Sequence, residues 1–350
     1  MIERRNARPF SYNTGMNASD AALKLPHRSL GRTGLSVSEI GFGGWGIGKS
    51  MWGKTDDAES LKALRAALDS GVDYFDTAYA YGHGHSERLI ARLFKEAGRR
   101  ATVSTKIPPQ NMEWPGHPRA KLAHVFAPDW VRLSVERSLR NLATDSLDLV
   151  QLHVWHDGWL KDPLWPELAG TMAALKKEGK VRHWGASLNN DDPNSGLELV
   201  ASAAVSVVQV LFNMFDQRAA DRLLPLCREK GVGVIARCPF DEGGLTGMLT
   251  RETRFEPEDF RSHYFGGERL AETCARAEAL TRAVIGAKAE TLTAAALKYC
   301  LSFDAVSTVI PGMRRVQHVT FNARCADGNY FDARELAEIA KHRWVRDFYL

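Results

Sequence analysis

The sequence contains little cysteine, and what it contains follows no recognisable spacing. Five cysteines occur in 350 residues, and no two of them are separated in the C-x-x-C pattern of zinc sites and redox centres. The number is odd, whereas a disulfide framework needs pairs. These features disfavour a metal site and a disulfide-stabilised secreted domain, and they are typical of reduced thiols in a cytoplasmic protein. The cysteines are Cys227, Cys238, Cys274, Cys300 and Cys325.

Long hydrophobic runs and a strong charge bias are also absent. Polar residues interrupt every apolar stretch well before the roughly 20 residues that a transmembrane helix needs. The N-terminal stretch MIERRNARPFSYNTGMNASD lacks the apolar core of a secretory signal, and we interpret residues 1 to 25 as a loose extension. The formal net charge is only +4, and the basic residues are dispersed. The sequence therefore argues against nucleic acid and against a membrane as partners.

Apolar, β-branched runs alternate with amphipathic segments along nearly the whole chain. One intervening segment, DDAESLKALRAALDSG, places Leu61, Leu64 and Leu68 on one face and ends in Gly71, as an amphipathic helix does. The runs predict eight strands, namely SEIGFGGW (38–45), VDYFDTA (72–78), TVSTKI (102–107), DLVQLH (148–153), VRHWGASL (181–188), VSVVQVLF (205–212), VGVIARC (232–238) and VSTVIPG (306–312).

Eight strand and helix units favour an α/β fold of the closed (β/α)8 TIM-barrel type, because a Rossmann sheet has fewer strands and usually a second domain. We predict one barrel domain over residues 26 to 350, with a short N-terminal β-hairpin at HRSLGRTGLSVSEI covering the barrel base and a final helix over residues 331 to 346. Two connections are long, 108–128 and about 240–266. Both follow strands, so they lie at the catalytic face and are candidate substrate walls. Their aromatic residues are Trp114, Phe126, Phe255, Phe260, Tyr264 and Phe265.

The run GGWGIGKS matches two phosphate-binding motifs at once. Residues Gly43 to Ser50 have the spacing of a P-loop, and the overlapping GFGGWG has the G-x-G-x-x-G spacing of a dinucleotide-binding fold. A P-loop helix begins at the Lys-Ser pair, whereas the first helix cap here is Thr55 or Asp56. A Rossmann unit needs an acidic residue about 20 positions after its glycines, and here it comes later. We interpret both matches as accidental, and the glycines as places where the backbone passes close to a neighbour.

Three consecutive strands each carry ionisable residues at or just beyond their C-terminal ends. Asp76 and Tyr81 lie in FDTAYAYG, Lys106 in VSTKIP and His153 in VQLHVW, and in a barrel these ends meet at one mouth. Singly, each residue has an ordinary explanation as a cap, a surface charge, a core histidine or a loop aromatic. Together they suit proton donation, because an ammonium lowers the pKa of a tyrosine from about 10 and a carboxylate keeps the lysine charged. We therefore expect a lowered pKa at Tyr81.

At these residues the chain resembles the aldo-keto reductase superfamily. GVDYFDTAYAYGHGHSE is similar to the family's catalytic signature, with Asp76 and Tyr81 in register and Tyr79 out of register. TVSTKI and LDLVQLH match the segments that carry the family's lysine and histidine, so the resemblance gives Lys106 and His153 those roles. The resemblance runs from about residue 28 to 325. It implies hydride transfer between NADPH/NADP+ and a small carbonyl compound, with Tyr81 as the general acid.

Four more segments resemble the family's cofactor-binding segments, in the same order: GKVRHWGASLNN, VVQVLFN, VIARCPFDEGGLTG and VIPGMRRVQHVTFN. The resemblance assigns the nicotinamide carboxamide to Ser187, Asn189 and Gln209. It assigns the 2′-phosphate to Arg314, where a planar guanidinium suits bidentate binding. It implies no metal. The predicted cofactor-binding residues are Gly44, Trp45, Asp76, Ser187, Asn189, Gln209, Arg237, Pro239, Gly243, Leu245, Gly312, Arg314, His318 and Asn322.

Three residues depart from the family pattern. Leu188 stands where many members have an asparagine directly after the serine. The following residue, Asn189, is then left to supply that amide. Arg237 stands where many members have a tyrosine that stacks on the nicotinamide, and its charge disfavours NADP+ relative to NADPH. Met313 provides no charge for the phosphate, which leaves Arg315 as a second contact.

The sequence thus predicts an NADPH-dependent reductase of aldehydes or ketones. Trp45, Trp155 and the loop aromatics predict an apolar pocket that accepts aromatic substrates, although packing between helices explains Trp155 equally well. Two alternatives stay open, a catalytically weak NADP(H)-sensing regulatory subunit of the same fold and a physiological alcohol or sugar dehydrogenase.

Overall fold

The computed structural model describes residues 24–49, 51–53 and 55–349. The predicted extension over residues 1 to 25 lies outside this part except for its last two residues, and of these Leu25 is only 2% exposed and packs in the core. The strands of the described residues are β1 (His27–Ser29), β2 (Ser36–Ser38), β3 (Phe42–Gly43), β4 (Tyr74–Asp76), β5 (Thr102–Ile107), β6 (Leu147–Leu152), β7 (Val181–Ser187), β8 (Val207–Leu211), β9 (Gly233–Arg237) and β10 (Val306–Val309).

Strands β3 to β10 form one parallel sheet in which neighbours in sequence are neighbours in space. Parallel bridges between Ile40 and Val309 and between Gly43 and Gly312 join the first strand to the last. The Gly41 N–H also donates to the Val309 carbonyl over 2.8 Å. The sheet is therefore closed, and the predicted eight-stranded barrel is confirmed.

The first barrel strand is much shorter than the predicted span of residues 38 to 45. Only Phe42–Gly43 pairs as a strand with β4. The chain leaves the sheet at Gly44 and forms a 3₁₀ turn, Trp45–Ile47. Ile47, in this turn, is buried like the residues of the strand. The apolar pattern of the sequence therefore extends past the end of the strand.

Helices cover the outside of the barrel and follow the strands as predicted. The first begins after Asp56, whose carboxylate accepts the Ala58 N–H over 2.6 Å, one of the two caps that the sequence indicated. The helices are α1 (Asp57–Asp69), α2 (His85–Ala97), α3 (Leu122–Val125), α4 (Pro128–Leu142), α5 (Trp165–Lys177), α6 (Leu197–Ala201), α7 (Leu223–Lys230), α8 (Phe260–Tyr264), α9 (Arg269–Val284), α10 (Leu292–Leu301), α11 (Val316–Arg324) and α12 (Ala333–Ala340).

The predicted N-terminal hairpin is present and lies against the base of the barrel. Strands β1 and β2 pair antiparallel, and the hairpin contributes Leu30 and Val37, both fully buried, to an apolar cluster with interior strand residues. The turn lies so close to β9 that a Cβ on Gly31 would come within 2.1 Å of the Gly233 nitrogen. The base plug, as we call this cluster, consists of Leu30, Val37, Tyr74, Leu149, Val207, Ile235 and Ile310.

The end of the described chain returns to the opposite face of the barrel. Helix α12 begins with a capping box formed by Asp332 and Glu335 and stops at Ala340, so the prediction of a helix to residue 346 is wrong. The C-terminal segment (residues 341–349) then runs in an irregular conformation. It is attached to the loop after β8, where the Trp344 N–H donates to the Phe215 carbonyl over 2.9 Å.

The described residues contain neither a membrane-spanning helix nor a metal-binding cluster. Among their helices, none combines the length and the hydropathy that crossing a bilayer requires. The same residues contain no group of three or more His, Cys, Asp or Glu side chains placed to hold a metal ion.

Candidate active site

A buried ion pair stands at the C-terminal ends of the second and third barrel strands. Lys106 on β5 and Asp76 on β4 have side chains that are 0% and 2% exposed, and Lys106 Nζ lies 2.5 Å from Asp76 Oδ1. The other carboxylate oxygen accepts hydrogen bonds from Gln209 Nε2 at 2.7 Å and from Ser104 Oγ at 3.2 Å. The negative charge is therefore balanced and hydrogen-bonded, as a buried carboxylate requires.

Tyr81 lies directly beside this ion pair. Lys106 Nζ donates to the Tyr81 hydroxyl over 3.2 Å and to the Thr77 carbonyl over 2.9 Å. The indole of Trp45 stacks on the phenol with ring centroids 6.3 Å apart. Tyr79 instead points toward His83, against which its ring packs. The structure thus brings the in-register tyrosine to the lysine, as the sequence predicts.

The glycine-rich run supports the turn that carries Tyr81. A Cβ on Gly48 would lie 2.9 Å from the Tyr81 carbonyl carbon, and a Cβ on Gly82 would lie 1.8 Å from the Gly48 oxygen. The two loops therefore need glycine in order to approach each other. Lys49 forms a surface ion pair with Asp57 at 3.0 Å, and the helix begins only at Asp57, which agrees with the rejection of a P-loop.

His153 completes the group on the next strand end. Its ring packs edge-on against Tyr81, with centroids 5.8 Å apart, and against Trp114 from the loop after β5 at the same distance. Its Nδ1 atom is buried and makes no hydrogen bond to another described residue. The imidazole therefore lies between the tyrosine and an aromatic side chain that is 42% exposed at the mouth.

The electrostatics of the site differ from the expectation at Tyr81. Burial raises the pKa of Tyr81 well above its usual range, and the Asp76 carboxylate raises it further, while Arg237 lowers it. The predicted lowering is wrong, because burial is the largest influence on the Tyr81 pKa and Asp76 compensates the Lys106 ammonium at 2.5 Å. Burial also lowers the pKa of Lys106, which Asp76 opposes. Burial, followed by Lys106 and Arg237, holds the pKa of His153 well below its usual value.

A cavity of about 230 Å³ opens from Tyr81 toward the loops after β9 and β10. Its lining includes Tyr81, Asp76 and Arg237 as well as Arg314 and His318. Arg314 lies over Trp52, which packs edge-on against Trp45. Burial, followed by Arg315 and Arg314, lowers the pKa of His318. The predicted site residues that line the cavity are Gly44, Trp45, Asp76, Tyr81, Gln209, Arg237, Pro239, Gly243, Gly312, Arg314 and His318.

Four predicted cofactor residues do not line this cavity. Ser187 is buried at the end of β7, beside Gln209. Leu245 is buried, and its N–H donates to the Phe240 carbonyl. Asn322 is buried on α11, and its Nδ2 makes no hydrogen bond to another described residue.

The fourth residue, Asn189, is hydrogen-bonded to the loop after β5. Asn189 Nδ2 donates to the Gly116 carbonyl and Asn189 Oδ1 accepts the Gly116 N–H, each over 3.0 Å. Both ends of the amide are therefore used to fix the loop after β5, rather than left free for a nicotinamide carboxamide.

Four of the aromatic residues predicted to line the pocket are core residues instead: Trp155, Phe126, Tyr264 and Phe265. Trp155 is 0% exposed and packs against Trp159 and Trp165, so packing between helices is the correct explanation. Phe126, also fully buried, packs on Trp159. Trp114 and Phe260 do lie near the mouth, the latter 5.7 Å from Trp45 between ring centroids.

Several residues that line the cavity were missed by sequence reasoning. Arg261 comes from helix α8 in the long loop after β9, and both its guanidinium and that of Arg314 lie over Trp52, at 4.9 and 5.7 Å from the ring centroid. Asp259 binds Arg261 through two hydrogen bonds. Glu242 faces the cavity close to Arg237. No motif marks Arg261, because the loop around it has no regular period, whereas Glu242 lies in the quoted segment VIARCPFDEGGLTG but was not singled out there.

Comparisons with known proteins agree with this geometry. The model of the Aldo/keto reductase family matches residues 39–343. Aldo-keto reductase YhdN of Bacillus subtilis (strain 168) is 34% identical over 247 residues, which cover 68% of this chain and 69% of that protein. The NADH-specific methylglyoxal reductase of Escherichia coli (strain K12) is 30% identical over 242 residues, which cover 65% and 71%.

Solved structures are similar over a larger share of the chain. The holo form of aldo-keto reductase AKR11C1 from Bacillus halodurans has a TM-score of 0.71 and 25% identity, covering 92% of this chain and 97% of that one. The glycerol dehydrogenase AKR11B4 from Gluconobacter oxydans has a TM-score of 0.71 and 27% identity, covering 88% and 92%. The chain therefore belongs to the aldo-keto reductase family of oxidoreductases.

Proposed function

We propose that the protein is an NADPH-dependent reductase of aldehydes or ketones. The observation that carries this proposal is the contact of one ammonium, Lys106 Nζ, with the Asp76 carboxylate at 2.5 Å and the Tyr81 hydroxyl at 3.2 Å, at the floor of an open cavity. This arrangement holds a proton at one defined atom, the phenolic oxygen. It also places a cation where charge develops when that proton leaves.

The residues along the cavity suit a nicotinamide dinucleotide. Gly312 leaves room for a ligand just after the last barrel strand, since a Cβ there would meet no atom within 4 Å. Gly44 instead lets the first strand approach its neighbour, since a Cβ there would lie 2.6 Å from the Asp76 carbonyl oxygen. Gln209 and Arg237 lie at the catalytic end, and Arg314 and His318 at the other end. When bound, this cofactor supplies the hydride.

The preference for NADPH over NADH rests on positive charge at the far end of the cavity. Arg261 and Arg314 both lie over Trp52, and Asp259 compensates only one of these two charges. A 2′-phosphate would find an uncompensated guanidinium there. Relatives differ in this property, since one is named NADH-specific and another carries NADP(+) in its name.

The chain's own residues would then act on the carbonyl oxygen. Tyr81 is protonated at neutral pH because burial and Asp76 raise its pKa, so it can donate its proton to the carbonyl oxygen. Lys106 stabilises the resulting phenolate. Neutral His153 orients the oxygen, since the lowered pKa keeps the imidazole uncharged.

The mouth of the cavity suits a small carbonyl compound with an apolar substituent. Exposed apolar side chains lie on the loops after β3, β5 and β9, at Met51, Met112, Trp114 and Met248. Trp114 is adjacent to His153, so a substituent on the carbonyl carbon would contact its indole. Because the chemistry is reversible, oxidation of an alcohol is the second candidate, and one similar structure is named a glycerol dehydrogenase.

The proposal extends to the domain and the compartment. Residues 26 to 350 would form one barrel domain. All five cysteines are free thiols, which supports a reducing, cytoplasmic location.

The first test is the loss of NADPH absorbance with a reactive aromatic aldehyde. We expect wild-type turnover and a loss of about 10²- to 10⁴-fold in Tyr81→Phe, as is usual for removal of a general acid. Tyr79→Phe is the matched control, because it removes a hydroxyl from the same turn without removing the proton donor. NADPH binding without turnover on any carbonyl would favour the regulatory subunit, and no binding of either nicotinamide cofactor would refute the proposal.

A further inference from the structure

A second polar cluster lies next to the catalytic residues, and the proposed mechanism does not use it. It contains Arg237 and Cys238 at the end of β9, Glu242 in the following turn and Tyr349 from the C-terminal segment. The Arg237 and Glu242 side chains both face the cavity. We call these four residues the Arg–Glu cluster.

Glu242 is held in place by residues that are distant in sequence. The Tyr349 hydroxyl donates to Glu242 Oε1, and the Cys238 thiol donates to the same oxygen over 3.3 Å. Burial raises the pKa of Glu242, and these two hydrogen bonds lower it. Only 5% of the residue is exposed. The carboxylate is therefore fixed at the edge of the cavity by donors that favour its charged form.

The backbone of this turn adopts conformations that side chains rarely allow. Cys238, Asp241 and Glu242 have φ angles of 53°, 51° and 55°, in the left-handed region that favours glycine. The C-terminal segment binds both acidic residues of the turn, since Arg346 forms a buried ion pair with Asp241. Two separate contacts thus keep an unfavourable turn in the orientation that brings Glu242 to the cavity.

Arg237 provides the opposite charge. Its Nη2 donates to the Leu188 carbonyl over 2.8 Å, and its Nη1 lies 3.8 Å from the Cys238 sulfur. The guanidinium interacts electrostatically with Tyr81, Lys106 and His153 as well as with Glu242. It therefore lies at the catalytic end of the cavity.

The other charges nearby are already compensated. Asp76 and Lys106 neutralise each other at 2.5 Å, Asp241 is paired with Arg346, and His153 is uncharged at neutral pH. Arg237 and Glu242 are thus the two charges whose balance a ligand at the catalytic end would sense.

We propose that Glu242, held by Tyr349, offsets Arg237 and so determines how strongly the site prefers the reduced over the oxidised nicotinamide cofactor. This inference rests on the proposed function. An oxidised nicotinamide ring carries a positive charge and a reduced ring is neutral. Arg237 alone would disfavour the oxidised form, and a carboxylate beside it removes part of that penalty. In this arrangement Tyr349 is a positioning residue that acts through Glu242.

The test measures dissociation constants of both oxidation states, without turnover. Wild type, Glu242→Gln and Arg237→Gln are titrated with NADP+ and NADPH, or with NAD+ and NADH if the wild type binds those instead. We expect Glu242→Gln to raise the ratio Kd(oxidised)/Kd(reduced) about tenfold and Arg237→Gln to lower it by a similar factor, as expected for one charge acting across a partly buried site. Glu256→Gln, an exposed change on the same loop, is the matched control.

Tyr349→Phe separates positioning from general support of the fold. If Tyr349 acts through Glu242, its loss should raise the ratio in the same direction as Glu242→Gln, about twofold to fivefold, because the carboxylate loses a donor. A purely structural role would weaken both oxidation states equally and leave the ratio unchanged, which would overturn the role of Tyr349.

The remaining outcomes are equally decisive. Ratios that stay within twofold of wild type in both charge variants would overturn the inference and leave the proposed function intact. Shifts of the same sign in both variants would also overturn it. A wild-type protein that binds neither cofactor would refute the proposed function, and the inference with it.

Discussion

The two ends of the barrel are built from the same strands but differ in chemistry. At the base, interior side chains such as Tyr74 and Leu149 join Leu30 of the hairpin in the apolar base plug. At the mouth, later residues of the same strands, Asp76 and Gln151, belong to a hydrogen-bonded polar group. Two residues further along the same strand, the interior side chains therefore change from apolar packing residues to polar residues of the site.

This difference indicates how stability and activity are divided. The base has no charged group in its plug, and burial of apolar surface is its contribution to folding. The mouth contains a buried ion pair, whose desolvation costs free energy, and several residues with positive φ. We therefore expect changes at the base to alter stability alone, and changes at the mouth to alter activity first. The following predictions test this division, beginning with the largest expected effect.

Lys106→Met should lower both the activity and the stability of the protein. Activity should fall by about 10²- to 10⁴-fold because Tyr81 loses its cationic neighbour. The free energy of unfolding should fall by about 3–5 kcal/mol because Asp76 is left as an uncompensated buried charge. Urea denaturation and NADPH turnover measure the two effects. The double variant Asp76→Asn/Lys106→Met should recover stability but not activity, and recovery of activity would contradict the proposed role of the lysine.

Leu30→Ala should lower the stability of the protein without changing its activity. The free energy of unfolding should fall by about 2–5 kcal/mol, because a fully buried side chain leaves a cavity in the base plug. The turnover number should stay within twofold of wild type below the unfolding transition. Leu133→Ala, at a site that is 43% exposed, is the control and should change stability by no more than about 0.5 kcal/mol. A large loss of turnover in Leu30→Ala would show that the two ends are coupled.

Asn189→Ala should separate substrate binding from cofactor binding within the mouth. The change removes two hydrogen bonds to Gly116, each worth about 1 kcal/mol, and frees the loop that carries Trp114. We expect the KM for an aromatic aldehyde to rise roughly fivefold to tenfold, with the Kd for NADPH nearly unchanged. Steady-state kinetics and fluorescence titration measure the two constants. A rise in the Kd for NADPH instead would support the predicted role of Asn189 as a cofactor ligand.

The smallest expected effect is that of pH, because we expect the kcat/KM of reduction not to change across the neutral and mildly alkaline range. Tyr81 must be protonated to act as the acid, and its pKa is raised above the usual value of 10. The acid form is lost only as pH rises through that raised pKa, so kcat/KM should stay constant from pH 7 to 9. Measurements at saturating NADPH, with circular dichroism at each pH, test this. An alkaline decrease centred near pH 8 would mean that Lys106 outweighs burial and Asp76.

The sequence contained enough information for the barrel and for the group of ionisable residues at its mouth. Eight β-branched runs predicted eight strands, because parallel strands that are covered on both faces are apolar throughout. Asp76, Lys106 and His153 were recognised because each stands at the end of such a run, and the resemblance to a family motif selected Tyr81 over Tyr79.

The parts that the sequence did not predict depend on contacts between distant segments. Asn189 binds the backbone of Gly116, which has no side chain that could indicate a partner. Glu242 and Tyr349 are separated by 107 positions and follow no common pattern. The direction of the Tyr81 pKa shift depends on burial, which no local pattern reveals. Trp155 did have a signal, since Trp159 and Trp165 in the same segment form its packing partners.

The position of Tyr349 also bears on how the site responds to proteolysis. Its hydroxyl binds Glu242, so the C-terminal segment and the turn after β9 meet at the edge of the cavity. A single cut within residues 341–349 would therefore release the turn that carries Glu242, although it lies far along the chain from the barrel strands.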